Sequence, residues 1–119
     1  MDTVVVIEDE AAVRKIVADL LEQNGYKVLS FSDAEPALHA VNFDTIDLII
    51  TDLAMPTRGE EAILTLRSSG ITAPIIVLSG ALTDGEAVSL QAIGVNHVLP
   101  KPFKMKTLLD TVQWLLATR

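Results

Sequence analysis

Val4-Val5-Val6-Ile7-Glu8-Asp9-Glu10 is a run of four apolar β-formers that ends abruptly on three acids. Four more β-rich runs follow along the chain: Tyr26–Phe31, Ile46–Ile50, Ile75–Leu78 and His97–Leu99. The runs around Val4, Leu48 and Ile75 are continuous Val, Ile and Leu, without the in/out alternation of a sheet that faces water on one side. Continuous apolar strands are buried on both faces, the condition of parallel strands covered by helices.

Helical patterns lie between the runs. Val13, Ile16, Val17, Leu20 and Leu21 fall at the i, i+3, i+4, i+7, i+8 spacing of one apolar stripe. Gly25 is placed to end that helix. Ser32-Asp33-Ala34-Glu35 reads as a capping box, with Pro36 tolerated in the first turn, and opens a helix to about Val41. Ala62, Ile63 and Leu66 predict a third helix that ends before Gly70. Asp84 and Glu86 introduce a fourth that stops near Gly94, and Leu108, Leu109, Val112, Leu115 and Leu116 mark a fifth. Strand–helix alternation repeated in this way predicts an α/β domain: an open, doubly wound parallel sheet with right-handed crossovers and helices on both faces.

Such sheets bind ligands outside the carboxyl ends of their strands. The residues after each run therefore share one edge: Glu8, Asp9 and Glu10 after the first, Thr51 and Asp52 after the third, Ser79 after the fourth, Pro100 and Lys101 after the fifth. Acids after a strand are commonly helix caps, and Ser79-Gly80 alone would read as a turn. It is the convergence of all of them on one cleft that points to function. Glu8, Asp9 and Asp52 bring about three negative charges together, with Lys101 as the cation. Two like charges ~4 Å apart repel by about 4 kcal/mol at an effective dielectric near 20. Either a carboxylate takes up a proton or a cation binds. All-oxygen donors suit a hard cation, Mg²⁺ above all, which is held by one or two carboxylates together with waters and phosphate oxygens. A carboxylate in such a site is also a candidate nucleophile, since Asp forms acyl phosphates.

Composition narrows the alternatives. The chain has 119 residues, half of them hydrophobic and 21% charged, which suits one globular domain and excludes a disordered chain. There is no Cys, hence no disulfide, thiolate metal site or Cys nucleophile. Nine Lys and Arg against sixteen Asp and Glu give a net charge of −7, adverse to nucleic-acid phosphates and anionic membranes. No apolar run reaches the ~18 residues of a membrane span. Met1-Asp2-Thr3 carries no basic stretch of the kind that opens a secretory leader. A soluble, cytoplasmic protein with no direct nucleic-acid or membrane partner is the expectation.

The four site segments together resemble the receiver domain of two-component response regulators, over essentially the whole chain, 1–119. Val4 to Glu10 looks like that family's first strand and acidic pair, with Arg14 at a common position. Asp47-Leu48-Ile49-Ile50-Thr51-Asp52-Leu53-Ala54-Met55-Pro56 looks like its phosphoacceptor strand and turn, followed by Gly59. Pro74 to Gly80 resembles the strand with the switch hydroxyl, and Leu99-Pro100-Lys101-Pro102-Phe103 resembles the Lys-Pro signature. The resemblance implies a flavodoxin-like sheet of five parallel strands in the order 2-1-3-4-5 with five helices. It implies a signalling domain rather than an enzyme, although one that assists its own phosphorylation and dephosphorylation. Asp52 would accept a phosphoryl group from a phosphohistidine of a sensor kinase or phosphotransfer protein. Asp9, Asp52 and the Ala54 carbonyl would ligate Mg²⁺, Glu8 would contribute through a water, Lys101 and Ser79 would bind phosphoryl oxygens, and Lys101–Pro102 would be cis. Phosphorylation would switch the face formed by Asp84–Ile93, His97–Leu99 and Met105–Leu116, and so control a downstream target or output domain.

Several residues depart from that family's pattern. His97 stands where Tyr or Phe is usual, and a titratable ring there would make switching pH-sensitive. Glu8 replaces the commoner Asp, Gly80 the commoner Ala. The Ala54 methyl cannot orient an attacking water, so slow to moderate loss of phosphate is expected. Trp114 lies either at the core edge or on the partner face. Three other functions compete. A phosphatase using an aspartyl phosphate would need an Asp-x-Asp pair after the first strand, and a flavodoxin-like carrier would need a Ser/Thr/Gly-rich loop there; Glu8-Asp9-Glu10 is neither. A constitutive binding module would have no use for the set Asp9, Asp52, Ser79 and Lys101. Whether the chain acts alone or within a longer regulator or hybrid kinase stays open, as do its cognate kinase and oligomeric state.

Overall fold

The computed structural model describes residues 1–53, 59–80 and 84–119. Five strands, β1 (Thr3–Ile7), β2 (Lys27–Phe31), β3 (Leu48–Asp52), β4 (Ile75–Ser79) and β5 (His97–Pro100), form one parallel sheet in the order β2-β1-β3-β4-β5. Five helices alternate with them: α1 (Ala11–Gln23), α2 (Ala34–Ala40), α3 (Gly59–Ser68), α4 (Asp84–Ala92) and α5 (Met105–Thr118). This is the parallel sheet expected from the alternation, in the flavodoxin-like strand order that the resemblance implied.

The apolar runs explain the layering. Side chains along a strand alternate between faces, so β1 divides its residues between two cores. Val4 and Val6 pack with Leu48, Ile50, Ile76 and Leu78 under α1 and α5, through Val17, Leu21, Leu108 and Val112. Val5 and Ile7 pack with Ile49, Ile75 and Val77 under α2, α3 and α4, through Ala37, Ile63, Leu66 and Leu90. Val4, Val5 and Val6 are wholly buried, and full burial of a Val contributes about 1.5–3 kcal/mol before cavity terms.

Local details differ from the sequence expectations. The cap of α2 is Asp33, which accepts from the Ala34 N–H at 2.8 Å, rather than Ser32. β3 starts at Leu48, because Phe43–Thr45 forms a 3₁₀ turn and Asp47 turns its carboxylate to the Thr3 N–H at 2.7 Å. Ile16 in the α1 stripe is half exposed instead of buried, and Trp114 is exposed. Gly25, Gly70 and Gly94 all take positive φ where helices end. At Gly94 a Cβ would stand 2.8 Å from Arg67 Nε. The Arg67 guanidinium binds the carbonyls of Gly94, Ile71 and Ala73 and Asn96 Oδ1, tying the end of α3 to the turn after α4. Among the described residues no helix is long and apolar enough to cross a membrane.

Candidate functional site

The carboxyl edge of the sheet is set by register. Ile7 pairs with Thr51, so Glu8 and Asp52 emerge at the next step of adjacent strands. Asp52 pairs with Leu78, and Ser79 follows it to pair with Pro100. The polar residues read as following the strands are in part their last members. Asp52, Ser79 and Pro100 stay in the ladder because its hydrogen bonds are made by backbone, whatever the side chain.

Four residues bring carboxylate oxygens within 4.8 Å of one another: Glu8, Asp9, Glu10 and Asp52. Glu8 and Asp52 are buried, Asp9 and Glu10 exposed. Glu8 is held by its backbone, its N–H to the Phe31 carbonyl at 3.0 Å and its carbonyl to Arg14 Nη1 at 2.8 Å. The Lys101 ammonium enters from the far end of the sheet, after a cis Lys101–Pro102 peptide. Its backbone N–H donates to the Ser79 carbonyl at 2.7 Å. Its Nζ donates to Asp52 Oδ2 at 2.8 Å, Glu8 Oε1 at 2.9 Å and Glu10 Oε1 at 3.3 Å. The structure thus assembles Glu8, Asp9, Asp52 and Lys101 as the sequence suggested, with Ser79 on the neighbouring strand end. His97 is exposed on β5. Ala54, Met55, Pro56 and residues 81–83 lie outside the described residues.

Sequence reasoning placed Glu10 on this edge but named no role for it. It makes no side-chain cap bond to α1 and joins the acidic cluster on Lys101. Sequence reasoning also left Lys101 without a protein partner, where the structure gives it three carboxylates.

The electrostatics follow from burial. Burial raises the Glu8 carboxyl above its ordinary 4.5, and the neighbouring Asp52 charge adds to the rise, while the Lys101 hydrogen bond opposes it. For Lys101, burial disfavours the ammonium, but the hydrogen bonds to Asp52 and Glu8 outweigh it and hold the group above its usual range. Four carboxylates therefore face one ammonium. Glu8 Oε1 takes both the Lys101 Nζ and the Glu10 N–H, whereas Glu8 Oε2 is buried and has no hydrogen-bond partner among the described residues. A buried, unpartnered carboxylate oxygen beside further carboxylates is a donor set short of positive charge. All-oxygen, acid-rich and partly open to solvent, it fits a hard divalent cation.

Comparison with known proteins agrees with this geometry. Residues 4–113 match the family model of the response regulator receiver domain. Response regulator MprA of Mycolicibacterium vanbaalenii is 35% identical over 114 residues, covering 95% of this chain and 49% of that protein. The alkaline phosphatase synthesis transcriptional regulatory protein SphR of Synechococcus elongatus is 33% identical over 95% of this chain and 48% of its own length. The chain spans about half the length of these curated relatives. Among solved structures, the chemotaxis response regulator CheY4 of Vibrio cholerae superposes with a TM-score of 0.89 at 30% identity, covering 97% of this chain and 98% of that one. The Francisella response regulator 1452 receiver domain superposes at 0.92 with 26% identity, covering 99% and 98%. With its sheet order, its acidic strand edge and its Lys-Pro turn accounted for, the chain belongs to the response regulator receiver domains of two-component signalling.

Proposed function

We propose that residues 1–119 act as one receiver unit that accepts a phosphoryl group on Asp52 from a phosphohistidine of a sensor kinase or phosphotransfer protein. The observation that carries this reading is the Asp52 carboxylate: 2% exposed, at the end of β3, hydrogen-bonded to Lys101 and ringed by three further acids. An Asp52 oxygen gives an electron pair to phosphorus as the donor P–N bond breaks, and that bonding pair stays on the imidazole nitrogen. Phosphoryl transfer of this kind asks chiefly for positioning and charge neutralisation. Lys101 supplies one positive charge from within the protein. Asp9, Asp52 and the Ala54 carbonyl would hold Mg²⁺, with Glu8 contributing through a water. When bound, Mg²⁺ supplies the remaining neutralisation and orients the phosphoryl oxygens.

In the product, Lys101 and the Ser79 hydroxyl bind phosphoryl oxygens. The new group carries roughly −2 charge and three acceptors, enough to draw both residues inward. Ser79 leads through Gly80 toward α4, whose packing is sparse: Leu90 is its buried side chain among those described, and Val88 is 65% exposed. The face of α4, β5 and α5, with His97 on it, is the surface that responds and that a target or output domain reads. At net charge −7 the domain itself is a poor ligand for nucleic acid. Intact mass after incubation with acetyl phosphate tests the reading, with and without Mg²⁺, on wild type and Asp52→Asn. A Mg²⁺-dependent gain of one phosphoryl group, lost in Asp52→Asn, is expected. Equal labelling of the variant, or no labelling of wild type by acetyl phosphate or a histidine phosphodonor, overturns it.

A further inference from the structure

A lysine ammonium has three N–H donors and no more. In this protein all three are taken, by Asp52 at 2.8 Å, Glu8 at 2.9 Å and Glu10 at 3.3 Å. An incoming phosphoryl oxygen therefore finds Lys101 saturated, and one carboxylate must let go. The three are not equal. Glu8 is fully buried, its Oε2 has no partner among the described residues, and releasing its Oε1 from Lys101 would leave the carboxylate buried without a counter-charge among them. Asp52 is nearly as buried, and it is still a carboxylate while the phosphoryl group approaches. The Glu10 side chain is 62% exposed, its contact is the longest, and water can solvate it at once. It also stands on the open side of Lys101, whose own side chain is 16% exposed, where the two residues line one groove.

We propose that Glu10 is a positioning residue for phosphoryl transfer: it occupies, in the unphosphorylated protein, the Lys101 N–H that the phosphoryl oxygen later takes, and it is the ligand displaced. The proposal rests on Asp52 being the acceptor. With acetyl phosphate the step is the attack of an Asp52 oxygen on phosphorus, with the P–O bond broken and its electron pair leaving on acetate. Lys101 moves one N–H from Glu10 to a phosphoryl oxygen during that attack, and no proton is transferred. Glu10 thus slows the forward step slightly and has no part in the product, where it is already off the lysine.

The test uses the full chain at saturating Mg²⁺, with acetyl phosphate as donor and intact mass as readout, on wild type, Glu10→Gln and Glu10→Asp. Glu10 makes no side-chain cap bond to α1, so neither change removes a helix contact. Glu10→Gln weakens the contact by removing charge. Glu10→Asp keeps the charge but, one methylene shorter, cannot span a contact already at 3.3 Å. Breaking an exposed ion pair is worth a factor of about two to five in rate. Both variants are expected to phosphorylate faster by that factor, with the phosphoryl half-life after donor removal unchanged. Glu10→Asp at the wild-type rate would mean that only the charge at position 10 matters, and overturns the proposal, as does an equal change in half-life. Absence of phosphate on wild type would instead sink the acceptor reading of Asp52, a separate and visible failure.

Discussion

Replacing Glu8 by Gln removes a charge that the fold holds at a cost. The side chain is fully buried, and Oε1 accepts from Lys101 Nζ at 2.9 Å and from the Glu10 N–H at 3.3 Å, while Oε2 accepts nothing among the described residues. Two buried carboxylates, Glu8 and Asp52, share the one ammonium. Gln keeps the Oε1 acceptor and turns the Oε2 position into an N–H donor within an acidic cluster whose members each bring one carboxylate oxygen within 4.8 Å of the others. Relief of an unsatisfied buried oxygen returns about 1–3 kcal/mol, against about 1 kcal/mol lost as the Lys101 bond becomes charged-to-neutral. The net gain is about 0–2 kcal/mol, up to roughly 10 °C in Tm for a chain of this length.

The pH dependence has a definite sign. Burial, with Asp52 beside it, raises the folded-state value of Glu8 above its ordinary 4.5, so the ionised form is the one the fold disfavours. The advantage of Glu8→Gln is therefore fully present above that raised value, shrinks as the pH falls through it, and is gone below 4.5. Calorimetric melts in EDTA between pH 4 and pH 8, repeated at neutral pH with Mg²⁺, measure all of this. Wild type should gain Tm from Mg²⁺ by mass action and the variant much less, so that the order of the two narrows or reverses. A variant that melts below wild type in EDTA at pH 7, or that gains as much from Mg²⁺, refutes the reasoning.

The same charge balance predicts the opposite result at Lys101. Lys101→Met leaves Glu8 and Asp52 buried with no ammonium between them, and should cost about 3 kcal/mol in urea denaturation with EDTA, with part of the loss restored by Mg²⁺; a loss under about 0.5 kcal/mol would contradict it. At the opposite edge of the sheet, Arg67→Met strips donors from the carbonyls of Gly94, Ile71 and Ala73 and from Asn96. It should cost about 2–3 kcal/mol, with hydrogen exchange rising first around residues 93–96. Exchange rising evenly over the whole chain would show that the guanidinium does not hold that turn in particular.

What the sequence made legible is what depends on neighbours along the chain. Val4–Ile7 and Ile75–Leu78 could be read as strands buried on both faces because every residue in them is apolar, and helix ends could be read from Gly25, Gly70 and Gly94, which adopt the positive φ that other residues avoid. The same logic failed where backbone or distant atoms decide. Ile46 is buried without being in a strand, because its N–H closes the 3₁₀ turn Phe43–Thr45 on the Phe43 carbonyl. Arg14 and Arg67 look alike in sequence, each a lone Arg in an amphipathic helix, and only the fold shows one holding the Glu8 carbonyl and the other a turn 27 residues away. At the site, the residue types were legible and their pairing was not. Glu8 and Lys101 are 93 residues apart, and which carboxylates share the ammonium is settled by differences of a few tenths of an ångström and by who is exposed. A ranking of this kind separates Glu10, the acid that can yield, from Glu8 and Asp52, which cannot. It arises only when strand register and the Lys101 turn bring all three onto one nitrogen.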